Sequence, residues 1–186
     1  IARPARDTLV ATGSGDGNIR LYRLEDGKES AVLSGHAGPV NVLIASRDGR
    51  RLLSGGNDRT IRLWDPVSRR ELRKFEGHSD EVYGLAFSPD GRRLVSAPGA
   101  NDGVARVWDA ANGQVVARLQ GHAGSVYGVA WSRDGGRILT GGADGSLRLW
   151  DARTGAQIRR FETTGGDVNS VAFLPDNRRA ASAGVD

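Results

Sequence analysis

Residues 121–151 read GHAGSVYGVAWSRDGGRILTGGADGSLRLWD. The stretch opens on Gly121-His122, closes on Trp150-Asp151 and holds three short runs of strand-forming residues between turn residues. The rest of the chain repeats it. Gly35-His36 to Trp64-Asp65 is one copy and Gly77-His78 to Trp108-Asp109 another, while a looser copy starts at Thr163-Thr164 and an incomplete one precedes Gly35. Tyr22 to Trp64 is 42 residues, Trp64 to Trp108 is 44 and Trp108 to Trp150 is 42. The extra two residues have one location, because Ser54 to Asp58 and Thr140 to Asp144 are four apart whereas Ser96 to Asp102 is six. The segment SAPGAND therefore carries a two-residue loop insertion, marked by Pro98 and Gly99.

Each unit reads the same way. In the first full one, Val40–Ala45 is strongly apolar and is expected to be the most buried strand. Arg47-Asp48-Gly49 then supplies a hairpin signal, since glycine accepts positive φ. Leu52–Ser54, Thr60–Trp64 and Glu71–Phe75 complete four strands. The second unit runs Val82–Phe87, Leu94–Ser96, Ala105–Trp108 and Val115–Leu119, and the third Val126–Trp131, Ile138–Thr140, Leu147–Trp150 and Ile158–Phe161. Three strands at Thr8–Thr12, Asn18–Tyr22 and Ser30–Leu33 precede them, and two at Val168–Phe173 and Ala180–Ser182 follow. No segment sustains a helical period. Four short antiparallel strands per repeat, with turn chemistry at each junction, describe the blades of an all-β propeller, about four and a half of them.

Composition agrees with a globular chain. Of 186 residues 27 are glycine, which suits many tight turns, and none is cysteine, which excludes disulfides and thiolate metal sites. No window approaches the ~18 uninterrupted apolar residues of a membrane-spanning helix, so no membrane partner and a cytoplasmic setting are expected. Net charge is +4, and nearly all the positive charge is arginine. The chain starts mid-pattern at Ile1, so it reads as a segment of a longer protein.

Gly-His, then Ser-Pro-Asp-Gly, then Trp-Asp at this period resembles the WD-repeat β-propeller family, over essentially the whole chain. Departures sit at the ends: Tyr22-Arg23 stands where Trp-Asp would be, and Thr164 where a fourth histidine would be. The resemblance implies a hydrogen-bonded tetrad inside each blade. Its members would be His36, Ser54, Asp58 and Trp64; His78, Ser96, Asp102 and Trp108; and His122, Thr140, Asp144 and Trp150. A buried imidazole bridging a carboxylate and a hydroxyl satisfies all three groups, and the indole N–H adds a donor. A Ser/His/Asp set also suits a hydrolase. Its threefold recurrence, always beside a tryptophan, reads instead as structure. No catalytic residue, cofactor or metal site is expected, since nucleophile-elbow, phosphate-loop and metal-ligand spacings are missing.

Function is therefore expected on the rims. By resemblance, partner contacts fall beside the first core residue of each inner strand and just before each tetrad aspartate. These positions are Pro39 and Asn41, Glu81 and Tyr83, Ser125 and Tyr127, Asp167 and Asn169, with Asn57, Asn101 and Ala143 from the turns. Tyr83 and Tyr127 match one another on neighbouring blades. They either anchor a peptide-like partner, as tyrosines often do, or pack between blades with only the hydroxyl exposed. The opposite rim is basic, with Arg50, Arg51, Arg92, Arg93, Arg137, Arg178 and Arg179 after the first hairpin turns. That is the runner-up site, for a polyanion or nucleic acid. Asp48, Asp90, Asp134 and Asp176 share its turns, and no aromatic interleaving suggests base stacking. The recurrent Arg20, Arg62, Arg106 and Arg148 are expected to be structural or solvated. The first reading is a non-catalytic scaffold or sensor that binds a protein or peptide on one rim. Missing blades would come from the parent chain or from a second copy.

Overall fold

The computed structural model describes residues 8–163 and 165–185, all in strands, turns and loops. Thr164 and Asp186, the last tetrad positions of the repeat pattern, lie outside the described residues. Among the described residues seventeen strands form five antiparallel sheets. The first sheet holds β1 (Leu9–Gly13), β2 (Ile19–Arg23) and β3 (Glu29–Leu33). The second holds β4 (Val40–Ala45), β5 (Leu52–Gly56), β6 (Ile61–Asp65) and β7 (Arg70–Phe75), and the third β8 (Val82–Phe87), β9 (Arg93–Pro98), β10 (Ala105–Asp109) and β11 (Val115–Leu119). The fourth holds β12 (Val126–Trp131), β13 (Arg137–Gly142), β14 (Ser146–Asp151) and β15 (Gln157–Glu162), and the fifth β16 (Val168–Phe173) and β17 (Ala180–Gly184). Strands follow chain order inside every sheet, so each unit is an up-and-down meander, and β4, β8, β12 and β16 pack on one another as the inner strands.

Local chemistry explains the meanders. In the β4–β5 turn Ser46 Oγ donates to Asp48 Oδ1 at 2.6 Å, and the same oxygen accepts the Arg50 N–H. Gly49 takes a φ of 68° there, which a residue without Cβ adopts freely. Ser88–Asp90 and Ser132–Asp134 repeat the arrangement, and Asn177 supplies the positive φ in the fifth sheet. Pro98 lies inside β9 and is buried, so the two-residue insertion begins at Gly99 rather than at Pro98. The insertion thus lengthens the turn and leaves the ladder intact.

No sheet has a core of its own. Every apolar cluster lies between two sheets. Ile61, Leu63, Leu53 and Phe75 of the second sheet pack against Val82, Leu94 and Trp108 of the third. Val95, Val107 and Leu119 of the third meet Val126, Ile138 and Trp150 of the fourth, and Ile19, Leu21 and Leu33 of the first meet Leu52 and Trp64 of the second. This places the deepest burial on the second strand. All five residues of β5 are buried, whereas β4, expected from its apolar run to lie deepest, is only half-buried. The reason is that β4 is a sheet edge with one ladder, and β5 has a ladder on each side.

The outer strand shows what a following sheet contributes. Phe75, at the end of β7, is 1% exposed, with its ring 5.9 Å from that of Trp108 and edge-on to it. Phe161, at the same register in β15, is 39% exposed, because among the described residues the fifth sheet has no third strand to bring a tryptophan over it.

Inner strands approach closely where glycine allows it. A Cβ at Gly84 would run into the carbonyl oxygen of Tyr127 on the next sheet, and one at Gly128 would meet the Ser170–Val171 backbone. Gly84→Ala is therefore expected to destabilise the fold by about 1–3 kcal/mol. Gly15→Ala, where an added Cβ meets nothing within 4 Å, should stay within about 0.5 kcal/mol. Urea midpoints of the two variants measure the contrast.

Candidate functional site

All three tetrads form. His36 Nδ1 lies 2.9 Å from Asp58 Oδ1 and its Nε2 2.7 Å from Ser54 Oγ, while Trp64 Nε1 donates to the same Oγ at 2.8 Å. In the third sheet His78 bridges Asp102 at 2.7 Å and Ser96 at 2.6 Å, with Trp108 Nε1 on Ser96. In the fourth, His122 bridges Asp144 at 2.8 Å and Thr140 at 2.7 Å, with Trp150 Nε1 on Thr140. The indole can only donate, so the hydroxyl accepts from it and gives its own proton to Nε2. Nδ1 then carries the imidazole hydrogen and donates to the carboxylate, which fixes the tautomer. Ser54, Ser96 and Thr140 are each 0% exposed. A hydroxyl so placed cannot meet a substrate, so the triad-like sets are internal ties.

A fifth member joins each chain, and sequence reasoning saw its recurrence without its partner. Arg106 Nη1 donates to Asp102 Oδ1 at 2.7 Å, Arg148 Nη2 to Asp144 Oδ2 at 3.1 Å, and Arg20 Nη2 to Asp16 Oδ2 at 2.6 Å. Arg62 lies 3.7 Å from Asp58 and bonds Glu71 at 2.6 Å. The signal was the spacing of four residues from aspartate to arginine across one tight turn.

The buried charges set the titration. Burial disfavours the imidazolium and holds all three histidines below their usual 6.5, against the opposing pull of Asp58, Asp102 and Asp144. Burial alone would raise the Asp58 carboxyl, but hydrogen bonds from His36, the Ala37 N–H and Thr60 outweigh it and bring it down to about 2. Asp102 and Asp144 are lowered likewise by their histidines, with Arg106 adding to the first and Ser146 to the second.

The rim above these chains carries the candidate contact residues, and the backbone explains why they sit there. Register shifts fall between Val40 and Val42, Val82 and Gly84, Val126 and Gly128, and Val168 and Ser170. The extra residue in each β-bulge is Asn41, Tyr83, Tyr127 or Asn169. A bulge residue leaves the pleat and its side chain is re-aimed. Asn41 donates to Asn57 Oδ1 at 2.7 Å, which ties the bulge to the neighbouring turn, and Asn169 is exposed. Tyr83 and Tyr127 meet with ring centroids 5.8 Å apart at an interplanar angle of 57°. The rings pack across two sheets, and Tyr83 remains 37% exposed. Its hydroxyl donates to Glu81 Oε2 at 2.7 Å. That bond, with the neighbouring acidic charge, pushes the phenol up to about 12. The Gly99 N–H donates to the Glu81 carbonyl and the Asn101 N–H to Asp80 Oδ2 at 3.0 Å, so the inserted turn braces this wall. Asp167 is half-buried and Asn101 is exposed in the turn of the third sheet, while Ser125 is buried and does not present its side chain.

On the opposite rim the arginines are divided. Arg51 Nη1 donates to the Gly91 carbonyl, Arg93 Nη1 to that of Ala152 and Arg137 Nη2 to that of Asn177, each across a sheet boundary. These three act as staples between sheets. Arg179 Nε is 2.7 Å from Asp176, while Arg50, Arg92 and Arg178 are exposed. A groove there is lined by Arg51, Arg73 and Arg92 together with Asp90 and Asp109, which is mixed rather than uniformly basic charge. Among the described residues no group of three His, Asp or Glu side chains converges as a metal site would.

Two outcomes follow from the buried chains. Ser146 Oγ accepts Arg148 Nε at 3.0 Å and donates to Asp144 at 2.7 Å, but Val104 occupies that register in the third sheet, and among the described residues Arg106 Nε is buried without a partner. Val104→Ser is expected to be more stable than Val104→Ala by about 0.5–1.5 kcal/mol in chemical denaturation, the net worth of one restored hydrogen bond. Acid should weaken the fold in two stages. A histidine whose folded pKa lies below its unfolded value binds protons more readily when unfolded, so its contribution is present above pH 6.5 and fades as pH falls through that value. The Asp58 contribution is present above 3.8 and fades between there and about 2. Urea midpoints taken from pH 8 down to pH 3 should fall in both windows.

The repeat pattern has a match among known families. The family model described as WD domain, G-beta repeat, matches residues 27–65, 69–109, 113–151 and 155–186. Each match begins before the last strand of one sheet and covers the first strands of the next, so repeat and sheet are out of phase by one strand. No curated protein matches the chain. With four consecutive matches over most of its length, and with the tetrads formed in three sheets, the chain belongs to the WD-repeat family.

Proposed function

We propose that the chain works by binding, and that a peptide-like segment of a partner protein lies over the bulge residues of the second to fifth sheets. WD repeats are generally protein-interaction scaffolds and are typically non-catalytic. The observation that supports this rim is the Tyr83–Tyr127 pair. Two aromatic side chains meet on adjacent sheets at positions that the bulge turns out of the ladder, and one of them stays exposed. Tyrosine offers a large rigid contact area at small entropic cost, with a hydroxyl that tolerates water. Asn41 and Asn57 on the second sheet, Asn101 on the third and Asn169 on the fifth add amide donors and acceptors for main chain.

The arginine side is the weaker candidate for a polyanion, since three of its guanidinium groups are engaged with neighbouring carbonyls. Capture of a binding peptide from a displayed random library tests the reading. The Tyr83→Ala/Tyr127→Ala protein is expected to retain less than about a tenth of the affinity of the parent, as removal of a central aromatic anchor does. An Arg50→Ala/Arg92→Ala protein should bind as the parent does. The reverse order would move the site to the opposite rim.

A further inference from the structure

The two rims differ in charge, and the aromatic one is acidic. Asp80 and Glu81 precede Tyr83, and Asp167 holds the Glu81 register two sheets on. Among the described residues none of the three forms a salt bridge, although the chain carries 26 lysines and arginines against 22 acids. The tetrad carboxylates below are already answered by Arg62, Arg106 and Arg148. Glu81 uses one oxygen on the Tyr83 hydroxyl at 2.7 Å, and its other oxygen has no donor among the described residues.

The geometry is held in place from behind. Asp80 is locked by the Glu81 and Asn101 N–H groups, at 2.9 and 3.0 Å. A Cβ at Gly99 would come 2.5 Å from Asp80 Oδ2 and 3.3 Å from Tyr83 Cε2, so the inserted turn closes on both side chains only because it presents glycine there. The wall is therefore rigid before any ligand arrives, and a partner meets it without an ordering cost. Two tilted phenol rings beside an unpaired carboxylate attract one kind of side chain. A guanidinium is planar, lies on an aromatic face, and forks to a carboxylate. An ammonium offers only a point charge there.

Resting on the rim reading above, we propose that the Tyr83–Tyr127 wall takes an arginine side chain of the partner peptide, stacked on the rings and paired with Glu81. The residues that make this wall are the two tyrosines, Glu81 and Asp80, braced by Gly99 and Asn101.

The experiment titrates the full chain into fluorescein-labelled Gly/Ser peptides that differ at one central residue: arginine, lysine or citrulline, the neutral isostere of arginine. Anisotropy is expected to show the arginine peptide binding at least about tenfold tighter than citrulline and more tightly than lysine, with affinity falling as salt rises. Glu81→Gln should remove most of the arginine preference while leaving the thermal midpoint unchanged, since Glu81 lies outside the tetrads. Equal binding of arginine and citrulline peptides, both lost in Tyr83→Ala, would overturn the arginine pocket and leave the rim reading standing. Arginine binding that survives in Tyr83→Ala/Tyr127→Ala would overturn both. Failure of the arginine peptide to bind below about 1 mM overturns the pocket as well.

Discussion

The fold rests on one side chain used twice. The indole of Trp64, Trp108 or Trp150 fills the space between its own sheet and the preceding one, and in doing so supplies apolar area that neither sheet could bury alone. Its N–H, at the other side of the same ring, ends the hydrogen-bonded chain that runs through Ser or Thr and histidine to aspartate. Apolar packing between sheets and polar order within a sheet are thereby fixed by a single rotamer. A shift of the indole would leave a buried donor and a buried hydroxyl unpaired and open the sheet interface at the same time. This coupling explains why the tetrad groups are tolerated so deep in the molecule: each of them has its partner, and the partner is held by the packing.

The same economy reaches the rim. Tetrad aspartates accept main-chain N–H groups from the loops that enter the inner strands, those of Ala37, Ser79 and Ala123. Those loops lead directly into the bulges that carry Asn41, Tyr83 and Tyr127. The interior charge therefore holds the base of the surface that the proposed partner would meet. Protonation of the buried histidines acts at the root of that surface as well as on global stability.

Much of this was legible in the sequence, for physical reasons that can be traced. A period of about 42 residues with strand alternation and Asp-Gly turns leaves little freedom in architecture, and β4, β8, β11, β12 and β16 begin and end where the alternation does. Strands after the hairpin turns run longer than their apolar cores, because ladder pairing continues through Gly55-Gly56 and Gly141-Gly142, where there is no side chain to signal it. Burial of β4 was overestimated because apolar content says nothing about which strand is an edge. The recurrent arginines were visible as a pattern, but their partner lies across a turn and needed the fold. The rim residues were reached by likeness to a family; that they are bulge residues, and that Glu81 and an inserted turn brace Tyr83, depends on register, which single-sequence patterning does not resolve.

Because every apolar cluster among the described residues sits between adjacent sheets, each sheet draws its apolar stabilisation there from its immediate neighbours. Such an array behaves as a one-dimensional cooperative system, in which intrinsic sheet energies and nearest-neighbour terms add. The second and third sheets each have a tryptophan interface on both sides and are the most firmly held. Every residue of β17, by contrast, is exposed. Local opening of β17 should therefore leave the Tyr83–Tyr127 wall intact, because that wall straddles the third and fourth sheets and rests on the Trp150 interface between them.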